Sequence, residues 1–255
     1  MMAVGVVLAV ACAIQGTWSP CGLSMLSAIT PLGERSRHHR YAWSVTWYVV
    51  GAAIGGACLG ACMLAAAVAF DALPAATGTG LLLLGLGTCV CLAADARIGG
   101  FRLLEVPRQL NERWIDRMRP WAYASGFGWQ VGTGVTTYVM TCGIYALILL
   151  GALTLPPLDA FFIGLTFGAC RGAVLVIGAT ARSPEQLRSL HCRLDRLAPW
   201  SLLLPVTAEI AVLVDVVVRS GSSVALAGGV FAAGIFGAAV LRRVGKHPAM
   251  ALARS

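Results

Sequence analysis

Two cysteines stand in closely similar surroundings. Ser19-Pro20-Cys21-Gly22-Leu23-Ser24-Met25-Leu26 lies inside one apolar run, and Met140-Thr141-Cys142-Gly143-Ile144-Tyr145-Ala146-Leu147 lies inside another. Pro20 removes a backbone donor and breaks or kinks a helix at that point. Gly22 follows Cys21, and Gly143 holds the matching place after Cys142. A cysteine at the start of a resumed half-helix faces the positive end of its dipole, which favours thiolate. Burial in apolar surroundings pushes the other way, so the sequence leaves the balance open. Thiolate is the species that attacks disulfides. Two such cysteines meeting at a bilayer midplane could form a disulfide that opens to either side in turn.

Two opposite charges also fall midway along apolar runs, Arg171 in one and Glu209 in another. Each costs at least about 2.5–3.5 kcal/mol at mid-bilayer, so an Arg171–Glu209 charge pair is expected near the centre. Structural glue and guidance of an anionic or protonated substrate are both open roles. Cys58 and Cys62, one helical turn apart, could offer two soft ligands to Cu(I) or Zn(II). With no nearby His or third Cys, packing is the favoured reading and no metal site is expected. Cys12, Cys89, Cys91 and Cys170 read as packing residues too, and Cys192 sits in a basic loop. His38 and His39 add to a polar face. An odd count of nine cysteines argues against a disulfide framework. No cofactor motif is present.

The elements that must position these groups are membrane helices. The chain has 255 residues, 58% hydrophobic and 12% charged, with mean hydropathy +0.80. Soluble domains run closer to a quarter charged. About seven segments meet the roughly 20-residue requirement for a spanning helix: residues 2–30, 43–70, 78–95, 128–153, 159–181, 199–218 and 223–241. The fold expected is an all-α polytopic membrane protein. The first residues carry no basic region, so no secretory signal peptide is expected. The net charge of +8 lies in short clusters between apolar runs, where it reads as a topology signal rather than a nucleic-acid surface.

Those clusters alternate. Arg35, Arg37 and Arg40 follow the first span, and six arginines from Arg97 to Arg119 follow the third. Arg182, Arg188, Arg193 and Arg196 follow the fifth, and Arg242, Arg243, Lys246 and Arg254 the seventh, while the intervening loops lack Lys and Arg. The bias puts the chain in a cell membrane with its N-terminus outside and its C-terminus in the cytoplasm. Residues 106–121 read as a basic interfacial helix with Val106, Leu110, Trp114 and Met118 on its apolar face. Leu187, Leu190, Leu194 and Leu197 hint at a second, shorter one. Trp47 and Trp200 read as interfacial anchors.

The two Cys-Gly segments are each followed by a glycine-rich helix, Gly51 to Gly55 matching Gly168 to Gly172. This pattern predicts a 3+3 inverted repeat plus one extra C-terminal helix. Residues 1–95 form the first half, 96–127 a basic cytoplasmic loop, 128–218 the second half, and 219–255 an extra helix and basic tail. Inverted repeats build central sites in many transporters. Gly16-Thr17-Trp18-Ser19-Pro20-Cys21-Gly22-Leu23, opening such an array, resembles the membrane family of cytochrome c biogenesis and thiol:disulfide interchange proteins (the CcdA type and the central domain of DsbD), which belongs with the LysE-type transporters. The resemblance implies one redox cysteine in the first helix of each half, Cys21 and Cys142, with Pro20 before the first. It implies electron transfer from cytoplasmic thioredoxin to an extracytoplasmic thioredoxin-like protein. The family's further prolines are missing: Gly22, Leu23 and Ser24 follow Cys21, and Cys142 has no proline flank.

The expected activity is therefore a transmembrane thiol–disulfide conduit, serving cytochrome c maturation or disulfide reduction. The alternative is an exporter of a small solute or metal ion of the same superfamily, with Arg171 and Glu209 in the pathway and the cysteines incidental. A membrane subunit with no site of its own is a third possibility.

Overall fold

The chain builds helices wherever its apolar runs leave no other way to satisfy backbone amides in lipid. The computed structural model describes residues 1–73, 76–98, 114–221 and 234. Among these there is no strand. The order is α1 (Met2–Gln15), a 3-10 turn (Gly16–Trp18), α2 (Pro20–Ala28), α3 (Pro31–Ser36), α4 (Tyr41–Asp71) and α5 (Ala76–Asp95). Then come α6 (Trp114–Arg117), α7 (Pro120–Gly132), α8 (Gly143–Thr154), α9 (Pro157–Ala173) running into a 3-10 segment (Val174–Thr180), α10 (Pro184–Ser201) and α11 (Leu203–Ser220). Four helical stretches are long and apolar enough to cross a bilayer: Tyr41–Asp71, Gly78–Asp95, Pro157–Thr180 and Pro184–Ser220. A fifth arises if α1 and α2, bent by 68° across their break, are one span. This is the architecture of an all-α multi-pass membrane protein, with four or five such spans among the described residues rather than seven. The seventh expected span and the basic tail lie outside those residues, as does 106–113 of the expected interfacial helix.

The expected fourth span, 128–153, is not one helix. α7 stops at Gly132, and ten residues intervene before α8. The reason is local. Gly134 adopts a left-handed φ of 72°, and the hydroxyls of Thr133 and Thr136 both donate to the Gln130 carbonyl, at 2.8 and 2.6 Å. Such side chains compete with helical hydrogen bonds. The end of the expected interfacial helix also breaks, because Pro120 restarts the chain as α7. Trp114 stacks on Phe127 of α7 at 5.7 Å rather than facing lipid.

Three helix starts share one device. Ser19, Thr30 and Ser183 each precede a proline at the first helical position, and each side-chain oxygen accepts the backbone N–H three residues on. Proline there loses no helical bond, since that amide has no partner in a helix anyway.

Glycine governs how the spans meet. α4 lies between α7 and α9, packing along both. Its Gly51 and Gly55 meet the α7 backbone around Ser125 and Trp129, and Gly56 and Gly60 meet α9 at Gly164, Gly168 and Phe161. A Cβ on Gly56 would lie 2.5 Å from the Gly164 carbonyl oxygen, so no larger residue fits unless the helices part. Small residues at four-residue spacing let membrane helices approach closely, where packing rather than hydrophobicity drives association. α1 packs on α9 and α11, and α5 on α8 and α11. Large apolar side chains such as Ile54, Leu82, Leu86, Phe162 and Val218 point outward, where lipid would cover them.

Candidate functional site at the two helix breaks

The first break begins where α1 ends at Gln15, whose buried side-chain carbonyl oxygen has no hydrogen-bond partner. The 3-10 turn follows, and the Ser19 hydroxyl donates to the Gly16 carbonyl at 2.7 Å while accepting the Gly22 N–H at 3.0 Å. Those bonds fix Cys21 in the first turn of α2, buried beside Met25 and Leu26. Gly22 is required by closeness: a Cβ there would lie 2.7 Å from the carbonyl oxygens of Gly16 and Thr17.

The second break delivers Cys142 to the start of α8 by a different means. Asp95, the last residue of α5, accepts the Cys142 backbone N–H at 2.8 Å and the Thr141 hydroxyl on its other oxygen. Thr141 Oγ1 in turn accepts the Gly143 N–H at 3.1 Å. A carboxylate from a neighbouring helix thus caps α8, where negative charge complements the helix dipole. Asp95 was not singled out in the sequence; an acidic residue closing an apolar run was its only signal.

Arg171 and Glu209 serve different breaks. Arg171 is 8% exposed and Glu209 0%, yet no ion pair joins them among the described residues. The Arg171 guanidinium lies against Gly16, where any Cβ would collide with it, and 5.8 Å over the Phe167 ring. Its Nε has no hydrogen-bond partner. Tyr48, Cys21 and Cys12 are its close electrostatic neighbours. Glu209 instead reaches the second break: both of its carboxyl oxygens lack partners, and Oε1 lies 3.2 Å from where a Gly143 Cβ would stand. The expected pair fails because α9 aims its arginine at the start of α2, whereas α11 aims its glutamate at the start of α8.

Two cavities flank Arg171. One of about 20 Å³ is lined by Gly16, Thr17, Gly22, Leu26 and Tyr48. The other, of about 10 Å³, is lined by Cys12, Gly16, Thr141, Ile144 and Phe167. Each has room for about one water molecule.

All nine cysteines are thiols, with no disulfide among the described residues. Cys21 and Cys142 belong to separate buried clusters. Cys21 packs in the group of Met25, Tyr48 and Phe127, and Cys142 in the group of Cys12, Cys91 and Leu147. Cys58 and Cys62 are exposed on α4, and the described residues contain no group of three His, Cys, Asp or Glu side chains placed to hold a metal.

A further buried acid went unnoticed in the sequence. Glu34, 0% exposed, accepts from Tyr123 at 2.7 Å, from Arg37 at 3.3 Å and from Ser44. His39 Nδ1 stands 3.8 Å away. The cluster ties α3 to α4 and α7.

The fold and the breaks define a polytopic membrane protein with a few buried polar groups set in an apolar interior. No family model matches the chain. No curated protein and no solved structure is significantly similar to it.

Proposed function

We propose that the chain is a membrane-embedded thiol–disulfide conduit in which Cys21 and Cys142 form a reversible redox pair. The observation that carries this reading is that each cysteine opens a half-helix restarting after a break, one in each half of the chain. The helix packing supports equivalence of the halves. With α1 and α2 laid over α7 and α8, α4 over α9 and α5 over α11, the contact between α4 and α7 corresponds to that between α9 and α1. In the cycle a cytoplasmic dithiol of the thioredoxin class reduces the Cys21–Cys142 disulfide and becomes a disulfide itself. The resulting dithiol then reduces an exported thioredoxin-like protein, for cytochrome c maturation or disulfide reduction, and returns to the disulfide. The arginine clusters support an outside N-terminus and a cytoplasmic C-terminus. Because the two thiols pack in separate clusters, the cycle requires α2 and the start of α8 to approach across Arg171.

The test is a maleimide gel shift on native membranes, with and without reductant, comparing wild type, Cys21→Ser and Cys142→Ser. Cys21 and Cys142 thiols that appear only after reduction in wild type, with the remaining Cys21 thiol free without reductant in Cys142→Ser, establish the pair. Thiols that react equally with and without reductant rule it out.

A second reading, a LysE-type exporter of a small solute or metal ion, draws on one observation: Arg171 and Glu209 are buried without each other beside the breaks. It expects Arg171→Gln or Glu209→Gln to abolish efflux while Cys21→Ser and Cys142→Ser leave it intact.

A further inference from the structure

Cys12 read in the sequence as a packing residue, but the fold gives it a place between the two breaks. It is buried on α1 in the same cluster as Cys142. Its Sγ lies 2.7 Å from where a Gly143 Cβ would stand, beside the residue that follows Cys142. It also lines the cavity of about 10 Å³ that Gly16, Thr141 and Arg171 share. Arg171 also lines the neighbouring cavity, which Gly16, Thr17 and Gly22 around Cys21 share. Cys12 therefore has the Cys142 half-helix on one side and the surroundings of Cys21 on the other. A nucleophilic side chain in that position can span the gap that separates the two clusters.

We propose that Cys12 is a third redox thiol, which takes over the disulfide from Cys21 and carries it as a Cys12–Cys142 bond. The inference rests on the conduit reading above. The step is an internal thiol–disulfide exchange. The Cys12 thiol gives up its proton, and its thiolate attacks the Cys142 sulfur of a Cys21–Cys142 disulfide. The Cys12–Cys142 bond forms, the Cys21–Cys142 bond breaks, and Cys21 leaves as a thiolate that takes up one proton. No electrons are gained or lost in the exchange. A dithiol partner then reduces the Cys12–Cys142 bond and becomes a disulfide. Glu209, whose unpartnered carboxyl reaches the same point beside Gly143, is placed to pass the proton. The exchange lets each outer partner meet a different thiol, Cys21 at the start of α2 or Cys12 on α1 beside the start of α8, with Cys142 the shared member of both disulfides.

Membranes carrying wild type, Cys21→Ser or Cys12→Ala are oxidised with diamide, remaining thiols are blocked with N-ethylmaleimide, and the chain is digested without reductant. Linked peptides are then identified by mass spectrometry. A Cys12–Cys142 peptide is expected in wild type, persisting as the dominant linked species in Cys21→Ser and lost in Cys12→Ala. If Cys142 links only to Cys21, the relay fails while the conduit stands. If it links to Cys91 instead of Cys12, the assignment of Cys12 fails. If Cys142 is alkylated as a thiol in all three, relay and conduit both fail. The wild-type and Cys21→Ser maps decide the matter even if Cys12→Ala does not insert.

Discussion

The carboxylate of Glu34 accepts three side-chain hydrogen bonds while wholly buried, so its removal strands the hydroxyls of Tyr123 and Ser44 and leaves Arg37 without its partner. Breaking a buried, hydrogen-bonded charge cluster costs about 3–5 kcal/mol. Glu34→Ala should lower the melting temperature of the detergent-solubilised protein markedly, as followed by fluorescence-detected size exclusion. Tyr123→Phe, which removes one donor and leaves the carboxylate two others, should cost about 1 kcal/mol. Asp95 acts at the start of α8, through the Thr141 hydroxyl and the Cys142 amide. Asp95→Ala leaves the Cys142 amide unsatisfied, at about 1–3 kcal/mol. Because it also frees that turn, Cys142 should react with maleimide several-fold faster than in wild type. Unchanged reactivity would mean that Asp95 does not position the cysteine.

Between helices, the central contact of α4 with α9 is set by glycines rather than by large side chains. Gly56, Gly60, Gly164 and Gly168 bring the two backbones together. Inserting side-chain atoms into a packed interior costs about 1–3 kcal/mol per site, and here the nearest atoms are backbone that cannot rotate away. Gly56→Leu or Gly168→Leu should therefore destabilise the protein more than Gly78→Leu, whose Cβ would meet nothing within 4 Å. Thermal aggregation of the three variants, measured side by side, checks this. Equal losses would mean the helices do not depend on that contact. Gly51 to Gly55 and Gly168 to Gly172, matched by sequence, do not occupy equivalent contacts. Gly51 and Gly55 touch α7, whereas Gly168 meets Gly56 across the α4–α9 contact. One helix carries two glycine faces a residue apart, and spacing alone does not say which neighbour each face meets.

Across the whole molecule, orientation and interior are separable questions. Cys192 is exposed on α10 within an arginine-bearing helix, and the proposed orientation, from the positive-inside bias, would put it in the cytoplasm. A membrane-impermeant maleimide should modify Cys192 in inside-out vesicles and spare it in intact cells, with peptide mapping to identify the site. Modification from the outside would reverse the proposed topology. α10 is also joined to the first break, through the Trp18 indole N–H donating to the Leu194 carbonyl at 2.8 Å and a 3.1 Å hydrogen bond between Ser27 and His191. Movement of α2 during any redox or transport cycle must break or carry those contacts.

Hydropathy and charge distribution were enough to establish an all-α, multi-pass membrane protein, because lipid leaves the backbone few alternatives and the cost of burying charge keeps nearly all arginines out of the apolar runs. Pro20 marked the restart there, since its effect acts within a few residues of itself. The break before Cys142 was hidden in a run of threonines and valines that is apolar enough to span, and it depends on Thr133, Gly134, Thr136 and a distant Asp95. The partners of Arg171 and Glu209 were equally out of reach. Counting depth along two spans says that two charges share a level, but the rotation of each helix, set by glycine contacts with its neighbours, decides what each charge faces. Tertiary packing turned one toward the start of α2 and the other toward the start of α8, and placed Cys12 between the two breaks.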